Sequence, residues 1–161
     1  MASASRLRFR PVDFAAHADL CVSFRVDSYE VSYGSAERFG DAQEYLERMV
    51  RRSAQWPGSI VHVWAGAEII GQLELREHPD QSDAGYVNLF YLAPEYRGMG
   101  HGDALHRYVV GFFRDAGLRR AQLRVTPENA AARRYYAKHG WVDLGPDPSR
   151  NGRVHLLTLD L

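Results

Sequence analysis

Between Arg97 and Asp103 the chain reads Arg-Gly-Met-Gly-His-Gly-Asp, with glycine at 98, 100 and 102. Glycines let a backbone come close to a ligand, and the first amides of a helix lack partners of their own, so such a junction presents a ring of N–H groups to an anion. The stretch is therefore read as a cradle for a pyrophosphate. A nucleotide-triphosphate loop needs Gly-Lys-Ser/Thr after its last glycine, and Gly102, Asp103 and Ala104 stand there instead. The dinucleotide fingerprint needs a glycine where Asp103 stands. What remains is the pattern Arg/Gln-x-x-Gly-x-Gly/Ala, met by Arg97, Gly100 and Gly102.

Two elements must flank this loop. Tyr86 to Leu92 is apolar or aromatic at almost every position, which suits a strand covered on both faces in the middle of a sheet. Pro94 then ends the pairing. After the loop, Leu105, Val109, Phe112, Phe113 and Ala116 fall on one stripe of an amphipathic helix that ends at Gly117.

A second constellation follows. Asn129 opens a helix that contains Ala132, Arg133, Arg134, Tyr135 and Tyr136 and closes at Gly140 before Trp141. Together with the loop and its lead-in, Leu92-Ala93-Pro94-Glu95-Tyr96-Arg97, this segment resembles the GNAT superfamily of N-acetyltransferases. That family carries Asn-x-x-Ala-x-x-Phe-Tyr-x-x-x-Gly-Phe here, with Trp141 standing where Phe is commoner. The resemblance implies a GNAT fold within the α/β (α+β) class: a mixed sheet of about seven strands with four helices, its fourth and fifth strands splayed to admit a pantetheine arm. It implies acetyl-CoA as cosubstrate, no metal, and often a homodimer.

Carried over by position, Arg97, Gly98, Met99, Gly100, His101, Gly102 and Asp103 would hold the coenzyme A diphosphate. Phe90, Tyr91 and Leu92 would offer strand amides to the acetyl carbonyl, Asn129 would lie beside the pantetheine, and Tyr136 near the thioester sulfur. Tyr135 reads as a core aromatic. A carboxylate at Asp103 suits a first helical turn but repels a pyrophosphate, so either its side chain turns away or affinity is modest. Arg97, Arg133, Arg134 and the amides would offset it, although the last two arginines suit an exposed helix face equally well.

The acidities support a tyrosine. With a thiol near ~8.5 and a phenol near ~10, full proton transfer to a departing thiolate is uphill by about 1.5 units, roughly 2 kcal/mol. A hydrogen bond that strengthens as charge develops is sufficient. The attacking amine must also lose a proton, and Tyr86 to Leu92 contains no Asp or Glu to take it. Glu74, Glu30 and His78 are the candidates, with Glu74 preferred as the anchor of a water relay. For the acceptor, Tyr29, Glu30, Tyr33, Glu37 and Asn88 are the candidate contacts. Aromatics with a carboxylate would suit a cationic amine, whether a small molecule or a peptide N-terminus.

The expected activity is direct acetyl transfer from acetyl-CoA to a primary amine; the alternative is a non-catalytic acyl-CoA sensor or partner module of the same fold. Composition sets the frame. A chain of 161 residues fits a single domain over 1–161. Its 20 basic and 20 acidic residues balance, which gives no bulk attraction to nucleic acid or an anionic membrane. Cys21 is the sole cysteine, read as buried. The opening MASASRLRFR lacks the apolar core of a signal peptide, so the cytoplasm is the expected compartment.

The remaining elements follow from periodicity and punctuation. Leu7 and Phe9 mark a short first strand. Asp13 caps a helix with Leu20, Cys21 and Phe24 on one face, and Asp41 caps another whose Tyr45, Leu46, Met49 and Val50 turn inward. Residues 60–65 and 69–76 form a hairpin, 121–125 a fifth strand, and 141–144 and 153–161 the last two.

Overall fold

The computed structural model describes residues 6–161, so the first five residues of the stretch read as lacking a leader lie outside it. The chain order is β1 (Arg8–Pro11), α1 (Phe14–Tyr33), α2 (Ala42–Gln55), β2 (Ile60–Ala65), β3 (Glu68–Glu77), β4 (Ala84–Leu92), α3 (Gly102–Asp115), β5 (Arg120–Val125), α4 (Ala130–Lys138), β6 (Val142–Pro146) and β7 (His155–Asp160). The strands form one seven-stranded sheet in the order β1-β2-β3-β4-β5-β7-β6. Every neighbouring pair is antiparallel except β4 and β5. The apolar run read as a central strand is therefore fourth of seven.

The caps are where the residue types placed them. Asp13 accepts from the amides of Ala15 and Ala16, Asp41 from that of Glu44, and Asn129 from that of Ala132. Each takes up an amide that the first helical turn leaves free. Val50 departs from expectation: it is 47% exposed, while Tyr45 and Met49 are buried. Its position extends the apolar stripe of α2 past the width that the sheet covers.

The two faces of the sheet differ in chemistry. One packs Leu105, Val109 and Phe113 of α3 and Tyr136 of α4 against Leu73, Leu75, Val87 and Leu123, a dry core. Here the sheet and α3 touch through Gly85, where an added Cβ would lie 2.4 Å from the buried Phe113 ring. Gly85→Ala is expected to cost about 1–3 kcal/mol, because a buried ring in a close-packed core has nowhere to move. A urea titration reads this directly, and an unchanged midpoint would mean that α3 slides freely.

The opposite face, under α1 and α2, carries a buried polar chain. His62 Nε2 donates to Gln72 Oε1 at 2.9 Å, Gln72 Nε2 donates to Tyr45 Oη at 3.1 Å and to Glu74 Oε2 at 2.8 Å, and Tyr45 Oη donates to the same carboxylate oxygen at 2.5 Å. Cys21, buried as expected, sits with Sγ 3.5 Å from His62 Nε2, and burial pushes its thiol up to about 12. Burial pulls the His62 imidazole down to about 4, against the hydrogen bond to Gln72.

That depression sets a pH dependence. As pH falls through the ordinary ~6.5 the unfolded chain takes up a proton that the folded one refuses, so stability declines from there until the folded value near 4 is reached. By pH 5 the loss attributable to His62 is about 2 kcal/mol. Urea midpoints between pH 7 and pH 5 should fall for the wild type and flatten in His62→Gln; parallel curves would assign the acid sensitivity elsewhere.

No helix among the described residues is long and apolar enough to cross a membrane.

Candidate active site

The site begins where β4 and β5 part. Their parallel ladder has only three pairs, Ala84 with Arg120, Gly85 with Ala121 and Tyr86 with Gln122. Beyond Tyr86 the strands diverge, and two features of β4 drive this. The register with β3 steps from Glu74 opposite Leu89 to Leu75 opposite Val87, which leaves Asn88 as an extra, bulged residue. Arg25 of α1 then donates to the Asn88 carbonyl at 3.0 Å and holds the bulge in place.

The opening is a cleft of about 190 Å³ whose walls include Asn88 and Phe90 of β4, Leu123 of β5, and Asn129, Ala132 and Tyr136 around α4. Tyr29 and Tyr33 of α1 close it on the other side. Along β4 the amide of Ala93 is bonded to Ile70 of β3, and strand alternation therefore turns the amides of Phe90 and Leu92 toward the open side. Tyr91 goes the other way: its ring packs on Phe24 and its hydroxyl donates to Asp27 at 2.5 Å.

Tyr136 is buried, with its ring edge-on to Phe90, Tyr135 and Trp141. Its hydroxyl makes no hydrogen bond to any described residue. Burial, reinforced by Tyr135, pushes its phenol above the ordinary value, so it is a neutral donor at working pH. Tyr135 is tied down instead: its hydroxyl donates to the Gly102 carbonyl at 2.7 Å and fastens α4 to the start of α3.

The glycine loop has the geometry of an anion nest. Gly98 and Gly100 have φ of 75° and 84°, in the left-handed region that side chains disfavour. Among the described residues, the backbone N–H groups of Gly98, Met99, Gly100, His101 and Gly102 have no acceptor; the first amide paired again is that of Asp103, to the Gly100 carbonyl. A Cβ at Gly98 or Gly100 would meet nothing within 4 Å, so the loop is not packed against another element at these two positions.

Asp103 turns away from the loop, toward Nε2 of His139 at the C-terminal end of α4 at 2.8 Å, and that hydrogen bond holds its carboxyl below the ordinary range. Arg97 also departs from expectation. Its Nε donates to the Leu92 carbonyl at 2.8 Å and its Nη2 to Asp27 at 2.8 Å, so the guanidinium faces α1 and its charge is already met. Arg133 is likewise paired, with Asp143 at 3.3 Å.

Glu74 is 1% exposed and does not line the cleft. Its carboxylate is held by Tyr45 and Gln72 and lies 4.0 Å from Nε of Arg25, which itself lines the cleft. Glu30 is exposed and lines neither the cleft nor the cavity beside it.

That second cavity, of about 560 Å³, adjoins the cleft through Tyr29, Tyr33, Val87 and Asn88. Arg25, Arg38, Arg76, Arg124, Arg150 and Arg153 line it, with no Asp, Glu or His. None of these arginines was singled out as a site residue from the sequence. Arg124 alternates with core residues on β5 and Arg76 follows Leu75 on β3, which marks them as the polar side of a strand but says nothing about what they face.

Comparison with known proteins bears on this geometry. The model of the acetyltransferase (GNAT) family matches residues 24–141, from α1 through the nest to Trp141. The chain belongs to this GNAT family. A mycothiol acetyltransferase of Corynebacterium efficiens is 34% identical over 93 residues, 56% of this chain and 31% of that protein. Its counterpart from Corynebacterium glutamicum is 32% identical over the same shares. The chain thus spans about a third of the length of these curated relatives. Among solved structures, the PaiA N-acetyltransferase of Thermoplasma acidophilum in complex with coenzyme A superposes with a TM-score of 0.78 at 17% identity, over 97% of this chain and 99% of that one. The spermidine N-acetyltransferase of Vibrio cholerae gives 0.74 at 20% identity, over 97% and 96%. These likenesses show the GNAT fold, with its parallel pairing of β4 and β5.

Proposed function

We propose that this GNAT chain transfers an acetyl group from acetyl-CoA directly to a primary amine. The observation that carries the proposal is the Tyr136 hydroxyl, carried on a buried ring and free of any partner among the described residues, on the wall of the cleft opened by the parting of β4 and β5. The amides of residues 98–102 fit a diphosphate, since they are unpaired and contiguous. Phe90 and Asn129 line the cleft with Tyr136, and the Phe90 and Leu92 amides, turned to the open side of β4, are able to donate to a carbonyl oxygen that gains charge.

Tyr136 donates a hydrogen bond to the departing sulfur and keeps its proton until late, because its acidity is weaker than that of an ordinary phenol. No carboxylate or imidazole lines either cavity. The acceptor amine loses its proton by another route: guanidinium groups around it disfavour its charged form, and water at the open mouth carries the proton away. Glu74 acts through Arg25, as a positioning residue that fixes the Asn88 bulge. A guanidinium cannot accept a proton, so Arg25 does not pass one to Glu74.

Thiol release from acetyl-CoA, followed across a panel of primary amines beside calorimetric binding of coenzyme A, tests this. Amine-dependent release is expected. Tight binding without amine-dependent release at any pH would favour the sensor module over the enzyme.

A further inference from the structure

The second cavity says what kind of amine this site takes. Six arginines line it. Two have carboxylate partners, Arg25 with Glu74 and Arg124 with Asp147. Arg38, Arg76, Arg150 and Arg153 have none among the described residues.

The groups converge from separate elements. Arg76 on β3 and Arg124 on β5 both lie over the Tyr86 ring, at 4.9 and 5.3 Å from its centroid. Arg124 uses Nε for Asp147 at 2.6 Å and Nη1 for the Tyr86 hydroxyl at 3.1 Å, which leaves Nη2 available. The Nε of Arg76 is buried and has no acceptor. A buried donor left unpaired is costly, and it is the kind of defect that a ligand oxygen removes. Burial holds the Arg76 guanidinium below its ordinary value, with Arg124, Arg150 and Arg48 adding to the effect against an opposing pull from Tyr86. Arg150 and Arg153 approach from the segment between β6 and β7, and Arg25 and Arg38 stand over Tyr29 and Tyr33.

The cavity is distinct from the diphosphate nest. Arg76 pairs in register with Tyr86, at the opposite end of β4 from the loop, about 20 Å away along the strand at ~3.3 Å per residue. It shares Tyr29, Tyr33, Val87 and Asn88 with the cleft that holds Tyr136, so a molecule seated in it can extend an amine toward the thioester. The volume is that of an ordinary small-molecule site.

We infer that the acceptor is an amine that also bears an anionic group, a carboxylate or a phosphate, held in this cavity by the guanidinium groups of Arg76, Arg124 and Arg150. The cationic acceptor that the sequence suggested depended on Glu30 or Glu37, neither of which lines the cavity, and a polyamine would meet only like charge. Guanidinium forks pair two hydrogen bonds with a planar carboxylate or a phosphate, which gives orientation as well as attraction.

The inference rests on the acetyltransferase reading for its catalytic meaning, but binding tests it separately. Calorimetry with protein saturated in coenzyme A would compare O-phosphoethanolamine with ethanolamine, and β-alanine with β-alaninamide. At least one anionic amine should bind about 10-fold or more tightly than its counterpart, and the better pair identifies phosphate or carboxylate. In Arg76→Gln, and independently in the exposed Arg150→Gln, this preference should fall about 10-fold, with far-ultraviolet circular dichroism confirming the fold. If neither anionic amine is preferred, or the preference survives both substitutions, the inference is wrong. Thiol release with the same amines separates the two ideas: selective binding without turnover sinks the transferase reading alone, and turnover that favours ethanolamine or β-alaninamide sinks the anionic acceptor alone.

Discussion

Replacing Tyr136 by phenylalanine is expected to lower turnover about 100-fold while coenzyme A affinity changes less than about 3-fold. The substitution removes one oxygen from a ring packed against Phe90, Tyr135 and Trp141, and that oxygen bonds to no described residue, so the packing survives. What is lost is a donor aimed at charge that exists only as the thioester breaks, and such an interaction appears in kcat rather than in ground-state binding. A loss of 100-fold corresponds to about 2.7 kcal/mol, within the range for one preorganised donor in a dry site. Steady-state kinetics and calorimetry decide it. Equal losses in turnover and affinity would make Tyr136 a wall of the cleft and nothing more.

Glu74→Leu should produce the largest loss of stability, about 3–5 kcal/mol. The carboxylate accepts from Tyr45 and Gln72 and faces Arg25 in a nearly sealed environment. Leucine would strand two buried donors and a half-buried cation, and the desolvation of each is then uncompensated. Glu74→Gln is the milder companion: it keeps the shape and one acceptor oxygen. If Glu74 positions Arg25 and the bulge, the pH profile of kcat/KM in Glu74→Gln keeps its wild-type midpoint. If it relays the amine proton, the acidic limb of that profile shifts or vanishes. Urea unfolding of the first variant and the pH profile of the second therefore separate the two roles.

The local chemistry was legible in the sequence wherever it depended on neighbours along the chain. Asp13, Asp41 and Asn129 cap helices because a short side chain carrying oxygen before an apolar stripe has few better uses. Gly98 and Gly100 declare the loop because their backbone angles exclude other residues. The strand from Tyr86 to Leu92 is central because it is apolar on both faces. Tyr136 and the glycine loop were proposed together because both occur in contiguous motifs, and the resemblance to the GNAT family covers both.

The charges were decided by tertiary structure. Arg97, Asp103 and Glu74 were each assigned a task toward ligand from sequence position, and each is turned toward a partner elsewhere in the fold: Asp27 on α1, His139 just past α4, and the polar chain under α1 and α2. Conversely Arg25, Arg76, Arg124 and Arg150 are 26 to 51 positions apart in sequence order yet line one cavity. A glycine's backbone or a cap is fixed within about four residues, so the sequence alone determined them. A long charged side chain reaches partners that only the folding of the sheet brings near, so which ion it meets was settled only when β3, β5 and the segment between β6 and β7 came together.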